Sequence, residues 1–404
     1  MTRQRPAPPA PLTSIAALLS IAALTAALAA GCGTRQADGP DRPSPPARPG
    51  AAQASAATGF TLLATGDVLP HNEIIRQSGS NAHGHGHDFR TMFAGVKPVV
   101  SGADLAICHM ETIYGRDGGP FTGYPSFKSP PEVATALKDA GYDSCSTASN
   151  HTLDDGADGV RRTLGAMDAV GLRHAGSARS ATEATRVNLL TAGGAKVAQL
   201  SYTYGTNGIP LPQGSPWAVN LIDRQKILAD ARAARKAGAD VVVVSIHWGT
   251  EWQQPIDEQQ RTLARALTAS RTGGRPDVDL ILGTHAHVPQ AYEKVNGTWV
   301  VYGMGDQLAG HMFNHSDQPD GRGNLSSMAR FTFAPPTVPG GRWTVRKAEF
   351  IPQLTDVNNG FRVVNLNAAL AAQPGRGDYA RARDAIREVV LSRGAAKSGL
   401  IMAK

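Results

Sequence analysis

Asp279-Leu-Ile-Leu-Gly-Thr-His-Ala-His-Val-Pro-Gln290 is the stretch from which the rest of the chain is read. Leu280, Ile281, Leu282 and Gly283 read as the end of a buried strand, and His285 and His287 follow with one residue between them. That spacing sends both imidazoles to the same side of the strand rim. Imidazole is the commonest neutral ligand of divalent first-row metals, and Gly283 is expected to let the backbone turn sharply enough to bring both rings inward. Taken alone, the pair reads equally well as a surface turn that happens to carry two histidines. The stretches upstream decide between the two.

Asp240–Ile246 is dominated by β-branched residues, four valines and Ile246, the pattern of a strand buried on both faces, and it ends at His247. Phe60–Thr65 runs into Gly66-Asp67, with His71 four residues on. Ala103–Cys108 leads to Glu111, and Tyr142–Ala148 leads to Ser149-Asn150-His151 and Asp154. Helices are expected near 89–100, 131–140, 156–170, 222–237 and 258–270, which makes an alternating α/β chain. Val187–Tyr202 reads as a hairpin about Gly193-Gly194. After Ala291 the pattern changes to hairpins, with Asn296-Gly297 as a turn, strands near 327–333 and 343–351, and a closing helix over 379–391. In such a sheet the strand C-termini open on one crevice, so donors scattered along the chain can converge there. An amide oxygen such as that of Asn150 adds coordination without charge. His151 can protonate a leaving group, and Asp154 can orient that imidazole or simply cap the next helix. Asp67, Glu111, Asn150, His247, His285 and His287 are too many donors for one tetrahedral ion. They suit two metals about 3.5–4 Å apart. The Gly- and Pro-rich loop 115–131 carries Arg116, Tyr124 and Lys128, which read as substrate-binding groups or as parts of a solvated connector. The alternating histidines of 81–87 read as a solvated loop, and the polar, glycine-rich stretch 310–324 as a flap.

The 404 residues contain ample apolar content for a core, and a formal charge of +7 is too small and too scattered to argue for nucleic acid. Arg3 and Arg5 precede an apolar run over 15–30 that ends at Cys32. This resembles a bacterial lipoprotein signal, in which Cys32 becomes the lipidated first mature residue. An ordinary cleaved signal and an uncleaved anchor are the alternatives. Residues 33–58 are rich in Pro, Ala, Arg, Gly and Ser and read as a tether. Cys108 and Cys145 sit in short apolar stretches that read as buried parallel strands. Such strands seldom place two Cβ atoms for a bridge, so both are expected to be free thiols, although export would permit a disulfide.

The motifs GDVLPH, HMET, SNHTLDDG, HWGTEW and GTHAHVPQ, in that order, closely resemble those of CapA-type capsule (poly-γ-glutamate) synthesis proteins, which are similar to calcineurin-like metallophosphoesterases. The resemblance implies a four-layer α/β/β/α sandwich over residues 59–356, with 357–404 as an extension packed on the same domain. It implies that Asp67 and His287 hold one divalent ion and that Asn150, His247 and His285 hold a second, with Glu111 bridging and His71 a candidate further ligand. The ions would be Mn, Fe or Zn, and His151 would be the acid. Asp306 stands where relatives often have Asn, and HMET where Asn-Leu-Glu is commoner. The implied role is capsule or poly-γ-glutamate assembly at the outer face of the cytoplasmic membrane. It would be carried out by a metal-dependent hydrolase acting on an anionic polymer or phosphoester, with an envelope export complex as partner. The alternative is a non-catalytic, metal-dependent polymer-binding component of such a complex.

Overall fold

Two sheets carry the fold in a computed structural model that describes residues 58–403 except Pro339. Cys32 and nearly all of the tether lie outside the described residues. In chain order, the first sheet opens with β1 (Phe60–Val68), β2 (Leu105–Met110), β3 (Ser144–Ser146) and β4 (Arg173–Ala175). The chain then builds the second sheet from β5 (Asn188–Ala192), β6 (Ala195–Thr203), β7 (Val241–His247), β10 (Leu280–Thr284), β11 (Tyr292–Val295) and β12 (Thr298–Val301). A small ribbon, β8 (Arg271–Thr272) with β9 (Arg275–Pro276), stands apart. The chain returns to the first sheet with β13 (Asp306–Leu308), β14 (Leu325–Ala334), β15 (Thr344–Asp356), β16 (Arg362–Asn365) and β17 (Leu400–Met402). The strand orders are β16-β15-β14-β1-β2-β3-β4 and β11-β12-β10-β7-β6-β5, with β13 paired to β1 and β17 to β15. β1 to β4 run parallel, as do β6, β7, β10 and β12.

Side-chain alternation explains the layers. On β7, Val241 and Val243 enter the core between the sheets, while Val242, Val244 and Ile246 meet the helices Arg224–Lys236 and Glu258–Ala269 outside. On β1, Phe60, Leu62 and Ala64 face the second sheet, and Leu63 and Val68 face the opposite way, toward the helix Glu132–Ala140 and its neighbours. The result is helix, sheet, sheet, helix. Both outer helices of the second sheet start on side-chain caps, Asp223 to the Lys226 amide and Asp257 in a reciprocal box with Gln260. The first sheet is the wider. Tyr379, Ile386 and Val390 of the helix Gly377–Leu391 join its inner face.

Two expectations are corrected, and one helix stands where none was expected. The helix expected over 89–100 is two single turns, Arg90–Phe93 and Lys97–Val100, because Pro98 has no N–H with which to continue the ladder. The helix Asn72–Asn81 has no expected counterpart. Its Ser78, Gly79 and Ser80 weaken the helical pattern, and its buried large apolar residues are only Ile74 and Ile75. Cys108 and Cys145 are not free thiols: they form a disulfide. β2 and β3 are neighbours with these two residues directly opposite, their Cα atoms 4.4 Å apart, a pairing that strand identity alone does not reveal.

The two sheets are stitched together where the chain crosses between them at residues 302–306. Gly305 O accepts from the Asp67 amide at 3.1 Å, and the Met304 amide donates to Gly283 O at 3.2 Å. A Cβ on Gly66 would overlap the Gly305 carbonyl, and one on Gly283 would overlap that of Tyr302. Gly66→Ala is therefore expected to lower stability by at least about 1–3 kcal/mol, measured by urea unfolding. In denaturant without reductant, peptide mapping should find Cys108 and Cys145 linked. Replacing both by Ser should cost about 2–4 kcal/mol for a 37-residue separation.

Candidate metal centre

Every donor expected at a strand end is placed at one end of the two-sheet sandwich. Asp67 lies within the last turn of pleat of β1 rather than beyond it, and Glu111 follows β2 directly. Asn150 and His151 lie in the turns after β3. His247 closes β7, and His285 and His287 follow β10. All are buried. Gly283 does not supply the turn expected of it. It stays within the strand, where its missing side chain makes room for the Tyr302 carbonyl and the Trp248 indole. The left-handed backbone falls instead on the ligand candidates themselves, His285 at φ 94° and His287 at φ 57°. Such conformations in non-glycine residues cost on the order of 1–3 kcal/mol each and persist where surrounding contacts enforce them. One such contact is the His285 amide, which donates to Asp67 Oδ2 at 3.1 Å.

Three overlapping sets of donors have their ligand atoms within 4.8 Å of one another: Asp67, His109, Glu111 and His247; Glu111, His285 and His287; and Asp67, His287 and Asp306. Asn150 Oδ1 adjoins them, accepting from His247 Nε2 at 2.8 Å, and Asn150 Nδ2 reaches Asn207 Oδ1 at 3.2 Å. The sets place His247 with Asp67 and Glu111, and His285 with Glu111 and His287. Several atoms here are buried without any hydrogen-bond partner among the described residues: Asp67 Oδ1, both Glu111 carboxylate oxygens, His109 Nε2, His285 Nδ1 and Asp306 Oδ2. Buried polar atoms are rarely left unpaired, and these converge as carboxylate oxygens and imidazole nitrogens, the donor chemistry of a divalent cation site.

His109 and Asp306 are absent from the expected ligand set. His109 was legible in principle, since it lies on β2 only two residues before Glu111, at the same strand exit. Asp306 holds His287 Nδ1 at 2.9 Å and leaves the other ring nitrogen for a ligand. His71 stands outside all three sets. Its Nδ1 faces backbone, donating to Leu69 O at 3.0 Å in one tautomer or accepting from the Gly310 amide at 3.2 Å in the other.

His151 Nδ1 lies 2.7 Å from Asp154 Oδ2, and the Phe127 amide donates to the same oxygen at 2.7 Å. The Phe127 ring meets His151 edge-on at 4.8 Å. Asp154 therefore does not cap the following helix; it pins the loop 115–131 to His151. Of the substrate-binding candidates on that loop, Lys128 is tied to Asp155 at 3.1 Å. Arg116 is exposed and forms no ion pair among the described residues, and Tyr124 is 71% exposed beside Phe127. Aromatic rings also border the imidazoles, Tyr204 against His285 at 4.4 Å and Trp252 near His287 at 6.1 Å.

The profile of the family described as Bacterial capsule synthesis protein PGA_cap matches residues 61–311, which contain every donor named above. The chain belongs to this family. It is 30% identical over 177 residues to the PGA biosynthesis protein CapA of Bacillus subtilis, 43% of this chain and 44% of that one. It is 27% identical over 219 residues to a probable polyglutamine synthesis accessory protein of Mycobacterium tuberculosis, covering 50% and 55%. The chain thus matches about half the length of these curated relatives. A solved structure titled as a putative 5'-nucleotidase from Staphylococcus aureus aligns with a TM-score of 0.45 at 11% identity, over 82% of this chain and 58% of that one.

The electrostatics of this capsule-family site are those of a pocket short of positive charge. Burial, with Asp306 beside it, pushes the Asp67 carboxyl up to about 8. Burial and the Asp67 carboxylate raise Glu111 well above the usual range. Burial presses His109 down to about 3, and burial with neighbouring imidazoles drives His247 and His285 far below their ordinary value. His287 goes up, against the direction of His109, His247 and His285: burial opposes its charge, but the carboxylates of Asp306, Glu111 and Asp67 outweigh it. A carboxyl raised to about 8 carries its proton at pH 7 and must release it to bind a cation. Calorimetric titration with Zn²⁺ at pH 7 is therefore expected to give an enthalpy that depends on the ionisation heat of the buffer. The part of proton release due to Asp67 should fade as the pH rises past 8.

Proposed function

We propose that this capsule-synthesis family member is an exported, membrane-tethered, metal-dependent hydrolase that acts on an ester or amide of an anionic envelope polymer, such as poly-γ-glutamate, or its precursor. The observation that supports this most is the convergence of unpartnered, buried carboxylate and imidazole atoms at the strand ends. Asp67, Glu111, Asn150, His247, His285 and His287 would hold two divalent ions, with Mn, Fe and Zn all compatible with mixed N/O donors. Such a pair, when bound, supplies an acidified water as nucleophile and neutralises charge on the scissile group.

The chain's own residues do the rest. Asp154 accepts from His151 Nδ1–H, which fixes the ring and its orientation and leaves Nε2 as the nitrogen that would pass a proton to the leaving group. Phe127 closes one side of that imidazole and limits its access to water. Arg116, exposed on the same loop and without an ion pair among the described residues, draws an anionic chain toward the crevice, whereas Lys128 is engaged by Asp155 and acts on the loop's shape. A protein that only anchored carboxylates would have no use for an oriented acid, and this pair favours turnover. In this reading Cys32 carries the lipid that holds the domain at the outer face of the cytoplasmic membrane, within reach of an envelope export complex.

Hydrolysis of phosphoesters and of poly-γ-glutamate by the Mn²⁺-loaded protein, wild type against His151→Ala, tests the proposal. Removing the acid is expected to lower kcat by roughly 10²–10⁴-fold with metal content unchanged. Metal-bound wild type inert toward both substrate classes would replace the hydrolase with the polymer-binding component. Labelled palmitate incorporated by the wild type and not by Cys32→Ala checks the tether.

A further inference from the structure

His109 lies inside β2, between Cys108 and Met110, whose side chains enter the outer core. Alternation turns His109 inward, toward the space between the sheets, and there it is 1% exposed. Its Nδ1 lies 2.7 Å from Ser146 Oγ on the neighbouring strand. The Ser146 hydroxyl has one proton, and it is directed at the Cys108 carbonyl, 3.3 Å away. Nδ1–H is then the donor to Oγ, and Nε2 presents a lone pair. That lone pair faces Asp67 Oδ1 at 3.6 Å, and neither atom has a hydrogen-bond partner. With the Ser146 proton reversed, an Nε2–H would face the same oxygen from beyond hydrogen-bond reach. Neither arrangement satisfies both atoms. A cation between them satisfies both, since donors each about 2.0–2.2 Å from a tetrahedral ion stand roughly 3.0–3.7 Å apart.

His247 completes the arrangement. Its ring stacks on that of His109, tilted by 25° with centroids 4.7 Å apart, Nδ1 is 3.8 Å from Asp67 Oδ1, and Nε2 is 3.7 Å from Glu111 Oε1. Only one His247 nitrogen can take part, and one ligand atom from each of Asp67, His109, Glu111 and His247 lies within 4.8 Å of the others; two carboxylates balance one divalent charge.

We propose that His109 is a metal ligand through Nε2, sharing an ion with Asp67, Glu111 and His247, and that this added imidazole biases the centre toward Zn²⁺, Co²⁺ or Fe²⁺ over Mg²⁺ or Mn²⁺. The proposal rests on the metal-binding part of the function proposed above, and it adds a donor and a selectivity to it. The physical reason is ligand softness. Hard cations favour an all-oxygen shell, whereas imidazole suits the later first-row metals. With His109, four imidazoles face the three carboxylates of Asp67, Glu111 and Asp306 across the three donor sets.

The test uses the purified full-length protein, stripped by a chelator and titrated with Co²⁺, Zn²⁺ or Mn²⁺ alone. The readouts are chelator competition, the visible absorption of bound Co²⁺, and the gain in melting temperature on metal addition. His109→Asn is expected to weaken Co²⁺ and Zn²⁺ by at least roughly tenfold, to shift the Co²⁺ bands and to shrink the melting gain, while Mn²⁺ affinity falls by a smaller factor. Ser146→Ala keeps the imidazole but removes its Nδ1 partner, and it should lower Co²⁺ affinity in the same direction. It serves as the deciding variant where His109→Asn does not fold. Unchanged affinity and spectrum in whichever variant folds, with wild type taking up Co²⁺, overturns the proposal and leaves the metal reading standing. Wild type that binds none of the three metals overturns both.

Discussion

The short crossing from β12 to β13 is the constraint on which the rest of the site depends. Residues 302–306 leave the second sheet and enter the first, and their carbonyls and amides bond to β10 on one side and to β1 on the other. The approach is close enough that Gly66 and Gly283 have no space for a side chain. Because backbone touches backbone there, the separation between Asp67 and the residues after β10 is set by main-chain contacts rather than by side chains that can adjust. The same crossing puts Asp306 opposite Asp67 in register, which brings a second carboxylate to the edge of the pocket and a hydrogen bond to His287.

Held this tightly, the pocket is energetically unusual. Carboxylates and imidazoles are normally buried only with partners, and leaving them unpaired costs free energy that packing elsewhere must offset. Here the offset comes from three apolar layers: the core between the sheets and the two beneath the flanking helices. The disulfide between Cys108 and Cys145 ties β2 to β3 one residue from His109 and Ser146. Two left-handed histidines add local strain at the same place. Burial, unpaired donors and backbone strain thus coincide in one region, the pattern expected where a fold is shaped for binding rather than for stability alone.

Around the buried donors the structure changes character. Phe127, Tyr204 and Trp252 border the imidazoles, while Tyr124 and Arg116 stand exposed on the loop that Asp154 pins in place. The inner wall is polar, and the rim is aromatic with a cation that forms no ion pair among the described residues. In the function proposed above, that division would separate the part of the site that carries out chemistry from the part that holds an anionic substrate. It also explains why Asp154 serves both, since its one carboxylate oxygen receives the His151 ring and the backbone of the rim loop.

Much of this was legible in the residues themselves. Runs such as Val241–Ile246 and Leu280–Leu282 announce buried parallel strands, and the polar residues that interrupt each run mark where the strand stops. The sequence alone therefore determined the alternating α/β chain, the kinds of donor present and the strand ends that bear them. Hydrophobic periodicity is a local property, readable a few residues at a time. It said little about His109 or Asp306, which look like ordinary members of short strands, or about Phe127 in an irregular loop. It pointed the wrong way on Cys108 and Cys145, and it assigned to Gly283 a turn that His285 and His287 make instead. Those outcomes depend on which strand lies beside which, in what register, and on how closely two backbones pass. Only the tertiary structure decided them, because contacts between residues tens to hundreds of positions apart leave no mark on the local pattern of either partner.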